Sequence, residues 1–185
     1  LPGRMLQRLQ HDKGGFQQIE AAIRSGTRLL RKQQLADGSW EGFWGIHHIY
    51  GTMFGVIGLL AGGAASDGPA IVRACRWLVK ARLPDGGWGE DWRGVIEGKS
   101  TPASRSQVIQ TAWALITLLK AGYDGPGAAE AIEGGVAHLR YTQLSGGNWP
   151  EQQVAGVFFQ TAMLHYRLYK SYFPIWALGL YERSR

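Results

Sequence analysis

Leu29-Leu30-Arg31-Lys32-Gln33-Gln34-Leu35-Ala36-Asp37-Gly38-Ser39-Trp40 is a frame that this chain writes three times. Registered on tryptophan, residues 77–88 and 138–149 repeat it. Leu stands ten positions before each Trp (Leu30, Leu78, Leu139), Leu again five before (Leu35, Leu83, Leu144), and Gly two before (Gly38, Gly86, Gly147). Gln stands six before in two copies, Gln34 and Gln143, where the middle copy has Arg82. An acid follows each Trp within two positions: Glu41, Glu90 and Glu151. Five features shared by three copies are beyond chance.

Each copy predicts the same local structure. Upstream of the Trp, residues 16–34, 70–82 and 128–143 carry charges on one face and apolar residues at three-to-four spacing, the pattern of an amphipathic helix. The Asp-Gly or Gly-Gly pair is expected to end it, because glycine takes the left-handed conformation cheaply. Downstream a second helix is predicted to begin near a threonine, at Thr52-Met53-Phe54, Thr111-Ala112-Trp113 and Thr161-Ala162-Met163. The first two are almost uncharged, and a helix apolar all round is buried on every side. Trp149-Pro150-Glu151 places a proline and an acid where the third would start. The unit is thus an outer half-wet helix, a Gly-Trp turn and an inner dry helix. About three such pairs make an all-α chain that belongs to an α/α barrel or a solenoid. The Trp-to-Thr spacing is 12 in the outer copies and 23 in the middle one. The surplus, residues 92–104, reads as a loop on the face where functional loops gather. A short final helix is expected from Tyr172-Phe173-Pro174-Ile175-Trp176.

Composition narrows the classes further. In 185 residues, 45% hydrophobic and 18% charged side chains exclude a disordered chain. The net charge of +6 is scattered at helical spacing along solvated faces, which argues against a nucleic-acid partner. The single cysteine, Cys75, excludes an internal disulfide and a cysteine-rich zinc site. The longest uncharged apolar run, residues 53–66, is too short and too glycine-rich to span a bilayer. Leu1 is not an initiator and no signal-peptide pattern follows it, so residues 1–15 are expected to be a flexible or boundary segment. Three pairs do not close a ring. Residues 1–185 are therefore expected to be part of a larger barrel, whose remainder, or a second copy, covers the apolar flanks.

The Gln-x-x-x-Gly-x-Trp repeats resemble those of the triterpene cyclases, the squalene–hopene and oxidosqualene cyclase family. The resemblance runs through Gly42-Phe43-Trp44-Gly45-Ile46, Tyr50-Gly51-Thr52, Gln110-Thr111-Ala112-Trp113, Gly156-Val157-Phe158 and Phe173-Pro174-Ile175-Trp176-Ala177-Leu178-Gly179. It implies the C-terminal part of a catalytic α/α barrel, in an enzyme that protonates squalene or oxidosqualene and lets carbocations form rings in sequence. No metal, nucleotide or organic cofactor is implied, and the parent protein is expected as a peripheral, monotopic protein at the membrane surface that holds its substrate. By motif, Trp44, Tyr50 and Phe158 match cavity aromatics that stabilise moving positive charge. Tyr166, expected on the same C-terminal helix as Tyr169, is a further cavity candidate. Trp40, Trp88 and Trp149, with Gln34 and Gln143, are expected to tie neighbouring helix pairs at the outer rim. The family's catalytic acid lies in an Asp-x-Asp-Asp or Asp-Cys-Thr motif. None of Asp12, Asp37, Asp67, Asp85, Asp91 and Asp124 has that context, so no catalytic residue is assigned here and the acid is expected upstream. His47-His48 stands where a small residue and an aromatic are expected, and Arg82 replaces the repeat glutamine.

Other chemistries fit less well. A glycosidase needs two carboxylates about 5–9 Å apart, but acids placed regularly after every Trp are expected to cap helix starts. His47, His48 and His165 do not make a zinc site if adjacent histidines point apart. A prenyltransferase zinc set would need Cys75, which falls inside an outer helix and reads as a packing residue. A non-catalytic helical module that binds a lipid or a partner protein shares the repeats and equally lacks the acid. That alternative stays open, although retention of Trp44, Tyr50 and Phe158 leans toward an enzyme.

Overall fold

The computed structural model of the protein describes residues 13–185. Asp12 and residues 1–12 of the expected boundary segment lie outside them, whereas residues 13–15 already belong to the first helix. The order is α1 (Lys13–Gln33), α2 (His48–Ala61), α3 (Pro69–Ala81), α4 (Arg93–Glu97), α5 (Val108–Ala121), α6 (Ala128–Thr142), β1 (Gly156–Phe158), β2 (Ala162–Leu164) and α7 (Tyr169–Arg183). Helix α5 is the axis of the packing: α2, α3, α6 and α7 all lie against it. Its residues are buried on every side, from Val108 through Trp113 to Leu118 and Ala121, as a helix whose one charge, Lys120, sits in its last turn requires. Helices α2, α5 and α7 form an inner row, and the amphipathic α1, α3 and α6 an outer one. The chain is an arc of α/α toroid built from three helix pairs, as the repeats predict.

The repeat frame explains itself in hydrogen bonds. An α-helix leaves its last four carbonyls without partners. The indole N–H of each repeat Trp donates to one of them, ten residues back: Trp40 to Leu30 O at 2.7 Å, Trp88 to Leu78 O at 2.7 Å, and Trp149 to Leu139 O at 2.8 Å. The three indoles are buried, Trp88 completely. Between helix and Trp the chain makes a tight turn, in which Gly38, Gly86 and Gly147 adopt φ of +100°, +97° and +80°. The N–H of each returns to the carbonyl of the repeat Leu, and that Leu N–H bonds the residue before the Trp. The glycines therefore serve this turn. They do not end the helices, which stop at Gln33, Ala81 and Thr142; this corrects the expected helix cap.

The rim residues link one outer helix to the next. The Gln34 amide donates to Gly38 O in its own turn at 2.8 Å and to Ala70 O in the first turn of α3 at 2.7 Å. Arg82, at the equivalent place, reaches Glu130 O in the first turn of α6 at 2.8 Å. The longer guanidinium makes the forward link, which differs from the glutamine's as expected. Gln143 closes only its own turn, on Gly147 O at 2.8 Å.

The third pair departs from the prediction. Thr52 and Thr111 hydroxyls accept the backbone N–H of Trp40 and Trp88, at 3.1 and 3.0 Å, and so fasten the inner helix to the turn. Thr161 does not; Asn148 accepts from Trp149 N–H instead, at 2.8 Å. No helix starts at Pro150 or Thr161. Residues 156–164 form an antiparallel hairpin, and the inner helix is α7, longer than the short helix expected and carrying Pro174 within it. Tyr166 precedes that helix and is not on it. Residues 92–104 include the one-turn helix α4, stopped by left-handed Gly98. Cys75 is fully buried in α3, and burial pushes its thiol up to about 12.

Replacing Trp88 by Phe keeps most of the buried ring and orphans the Leu78 carbonyl. Loss of a buried partner costs about 1–3 kcal/mol. Denaturant unfolding of the Trp88→Phe protein is expected to show a loss of that size, with Trp88→Ala losing about 3–5 kcal/mol through the added cavity.

Candidate active site

Trp44 lies in the stretch between α1 and α2, and Phe158 of the third repeat meets it there. One buried carboxylate holds that stretch. Glu90, from the second repeat, accepts three consecutive backbone N–H groups at the start of α2: Oε2 from His47 at 2.9 Å and from Ile49 at 2.8 Å, and Oε1 from His48 at 3.2 Å. The Ser100 hydroxyl donates to Oε1 at 3.1 Å. These amides are the orphan donors of the helix, where its dipole also favours an anion. The expectation that each repeat acid caps a helix start is thus corrected. Glu90 caps the helix of the preceding repeat. Glu41 is mostly exposed and lies 3.3 Å from His47 Nε2, and Glu151 pairs with His165 at 2.7 Å and Lys170 at 3.0 Å.

The third repeat supplies the other wall. Gly45 bridges Gly156 of β1; Ile46 N–H donates to Ala155 O, and Val157 N–H to Trp44 O, both at 3.0 Å. Both glycines are required by close approach. A Cβ on Gly45 would run into the Tyr50 ring, and one on Gly156 would lie 2.7 Å from Trp44 O. Gln152 and Gln153 bind the strand's approach to the second repeat, through Gln152 Oε1 to Val108 N–H at 2.7 Å and Gln153 Nε2 to Glu90 O at 2.6 Å. Pinned in this way, the rings of Trp44 and Phe158 meet at 5.2 Å. Phe43 extends the row on one side at 5.8 Å, and Phe159 on the other at 4.2 Å. A cleft of about 360 Å³ opens beside this row, lined by the apolar Phe43, Trp44, Val157 and Phe159 and by the polar Glu41, His47 and Gln160.

Tyr50 and Tyr166 belong to a second aromatic group. Tyr50 meets Trp113 at 5.1 Å; Trp113 meets Phe173 at 5.5 Å and Tyr169 at 6.0 Å; Tyr166 stacks on Tyr169 at 4.5 Å. Burial pushes the Tyr50 hydroxyl up, and that of Tyr169 up to about 12, so both stay protonated and uncharged at neutral pH. The motif reading did not single out Trp113, Tyr169 and Phe173 as cavity aromatics, although it quoted the segments carrying them. Their helical positions gave the signal: 169 and 173 are one turn apart, and Trp113 sits mid-helix among apolar residues.

The histidines do not point apart. Their rings meet edge-on at 4.6 Å, and His48 Nδ1 lies 3.0 Å from the Ser39 hydroxyl. Both are almost completely buried. Desolvation holds both below their ordinary value; for His47 its neighbour His48 adds to this, against the opposing pull of Glu90 and Glu41. Among the described residues, no three His, Cys, Asp or Glu side chains are grouped to hold a metal ion.

This helix-pair arc is shared with type II terpene cyclases. The cyclase MstE from Scytonema superposes with a TM-score of 0.55 at 26% identity, over 69% of this chain and 34% of that one. A form of it holding its substrate, geranylgeranyl dihydroxybenzoate, superposes with a TM-score of 0.54 at 27% identity, over 69% of this chain and 34% of that one. The chain belongs to the squalene-hopene cyclase C-terminal domain family, which it matches over residues 1–183. It is 38% identical to human lanosterol synthase over 170 residues, 90% of this chain and 23% of that protein. It is 39% identical to a probable squalene–hopene cyclase of Sinorhizobium fredii over 177 residues, 93% of this chain and 26% of that protein. The chain therefore spans about a quarter of the length of these relatives.

Two outcomes follow from the buried groups. Glu90→Gln keeps the shape but presents an amide N–H₂ to backbone donors. Leaving such donors unpaired costs about 1–3 kcal/mol, which denaturant unfolding should register. Histidines held neutral in the folded state take up protons more readily when unfolded, so stability falls as pH drops below about 6.5, the ordinary histidine value. The thermal midpoint is expected to decline between pH 7.5 and 5.5, and to decline less in His48→Phe; equal slopes would contradict the assignment.

Proposed function

We propose that the whole protein to which these residues belong is a triterpene cyclase, converting squalene or oxidosqualene by a proton-initiated carbocation cascade. Trp44 and Phe158 are the ring pair facing the advancing cation, with Tyr50 and Tyr166 lining the same path from the second aromatic group. The observation that carries the reading is the contact of Trp44 with Phe158. Two motifs from different repeats, more than a hundred residues apart in the chain, are bonded backbone to backbone so that their rings form one wall. A cation over the face of such a ring gains about 0.5–2 kcal/mol per contact, the more the drier the site. Burial pushes the Tyr50 hydroxyl up, so Tyr50 offers a π face without a nucleophilic phenolate.

The proton donor in this reading comes from the part of the protein outside these residues, and these residues contribute aromatic rings to the cavity. Excluding water there protects the cation from early capture. The relatives support the reading: this chain is about equally similar to a lanosterol synthase and to a probable squalene–hopene cyclase. No helix among the described residues is long and apolar enough to cross a membrane. A polyene that dissolves in lipid places the enzyme at a membrane surface, as a peripheral protein.

The whole protein is expected to cyclise one of the two polyenes. Trp44→Ala and Phe158→Ala should each divert product toward partly cyclised hydrocarbons or alcohols, while Arg73→Ala, on the exposed face of the outer helix α3, leaves the product ratio unchanged. Gas chromatography of the products checks this. An undisturbed profile in both cavity variants would contradict the assignment.

A further inference from the structure

We propose that Phe159 is a specificity-determining residue of this cleft, an additional aromatic face presented to the polyene by a turn with a strained backbone. The proposal rests on the cyclase reading above.

Phe159 and Gln160 form the tip of the β1–β2 hairpin with φ of +47° and +61°. The Thr161 N–H donates to Phe158 O at 3.1 Å and closes the turn between them. Two successive left-handed residues at a hairpin tip are ordinarily Asn and Gly, which adopt that conformation at little cost. A phenylalanine and a glutamine do not. Such strain persists only where the surroundings or a function hold it. Burial within the described residues is not what holds it, because Phe159 is 68% exposed. The turn's own hydrogen bond does not need an aromatic side chain either.

The conformation does achieve one thing: it sets the Phe159 ring against Phe158 at 4.2 Å, and it places Phe159 and Gln160 in the lining of the 360 Å³ cleft beside Trp44 and His47. An unstrained polar tip would close the same hairpin and leave the wall one ring shorter. Each ring in the row offers a negative face to a positive charge. An added ring therefore favours a cation that reaches it, and its loss favours earlier termination. The occupant this suits is the polyene itself, an apolar chain along which positive charge moves.

The competing occupant is another part of the same protein packed on Phe159. The test uses the whole protein, squalene and oxidosqualene as probes, product analysis by gas chromatography and mass spectrometry, and thermal unfolding of each variant. Phe159→Asn relieves the strain and removes the ring. It should leave the thermal midpoint unchanged or raised, and increase the fraction of incompletely cyclised product about fivefold, the size of one exposed cation–π contact. Phe159→Leu keeps the bulk without the π face and should shift product in the same direction, whereas Phe159→Tyr should restore the original ratio. A lowered midpoint with an unchanged ratio in Phe159→Asn would show packing against another segment and overturn the proposal. So would an unchanged ratio in both Phe159→Asn and Phe159→Leu beside a shifted ratio in Trp44→Ala, and the cyclase reading would then stand without Phe159. If the unmodified protein converts neither polyene, that reading fails and the assignment of Phe159 falls with it.

Discussion

An indole N–H that reaches ten residues back to a carbonyl in the last turn of its own helix is the interaction on which the rest of this structure depends. The carbonyl has no partner inside the helix, and the chain has just reversed through a tight glycine turn, so the Trp lands where the orphan group is. The bond is made three times with nearly the same length. It sets how each outer helix hands the chain to the inner row. In the first two repeats the same residue's backbone N–H is received by a threonine of the inner helix, which fixes the second half of the pair. The conserved-looking spacing of Leu, Gly, Trp and Thr within this one chain is the imprint of that geometry.

Pairs built this way are coupled by contacts between repeats, and the aromatic cleft lies where three repeats meet. The first supplies Trp44 and the start of α2, the second supplies Glu90, and the third supplies Phe158 on its hairpin. Glu90 is the keystone of this junction. Its carboxylate is consumed by three amides of one neighbour, while its carbonyl receives Gln153 from the other. The rings of Trp44 and Phe158 are thereby mounted on two segments bonded backbone to backbone, which is how a cavity can present a fixed electrostatic face to a charge that moves through it.

Much of this was legible in the sequence because it is periodic. The outer helices begin and end within three residues of their predicted bounds, since amphipathic spacing reports them directly. The inner helices α2 and α5 announce themselves by having almost no charge. The third inner helix was misplaced for a physical reason. Its Trp is followed by a proline, an acid and a threonine, as a helix start would be, but residues 150–155 instead form an irregular segment that delivers Gln152 and Gln153 to the second repeat, and Thr161 falls in the hairpin turn. The hairpin that follows has Phe159 and Gln160 at its tip, where the usual turn residues would have given it away. The reach of Glu90 into α2 was invisible for another reason. It joins residues more than forty positions apart through backbone donors, and backbone donors leave no trace in side-chain identity. The ring pair Trp44 and Phe158 came from motif resemblance, and their meeting across the bridge of Gly45 with Gly156 is a fact of the fold.

The central claim is that the wall of Trp44 and Phe158 receives the cation. It is tested most directly by a crystal structure of the whole protein holding an aza-analogue of squalene, with an ammonium in place of a ring-forming carbon. The account predicts the ammonium within about 6 Å of the Trp44 or Phe158 ring centre, on the side of the cleft bounded by Val157. An analogue bound elsewhere, with this cleft filled by other protein side chains, would contradict it.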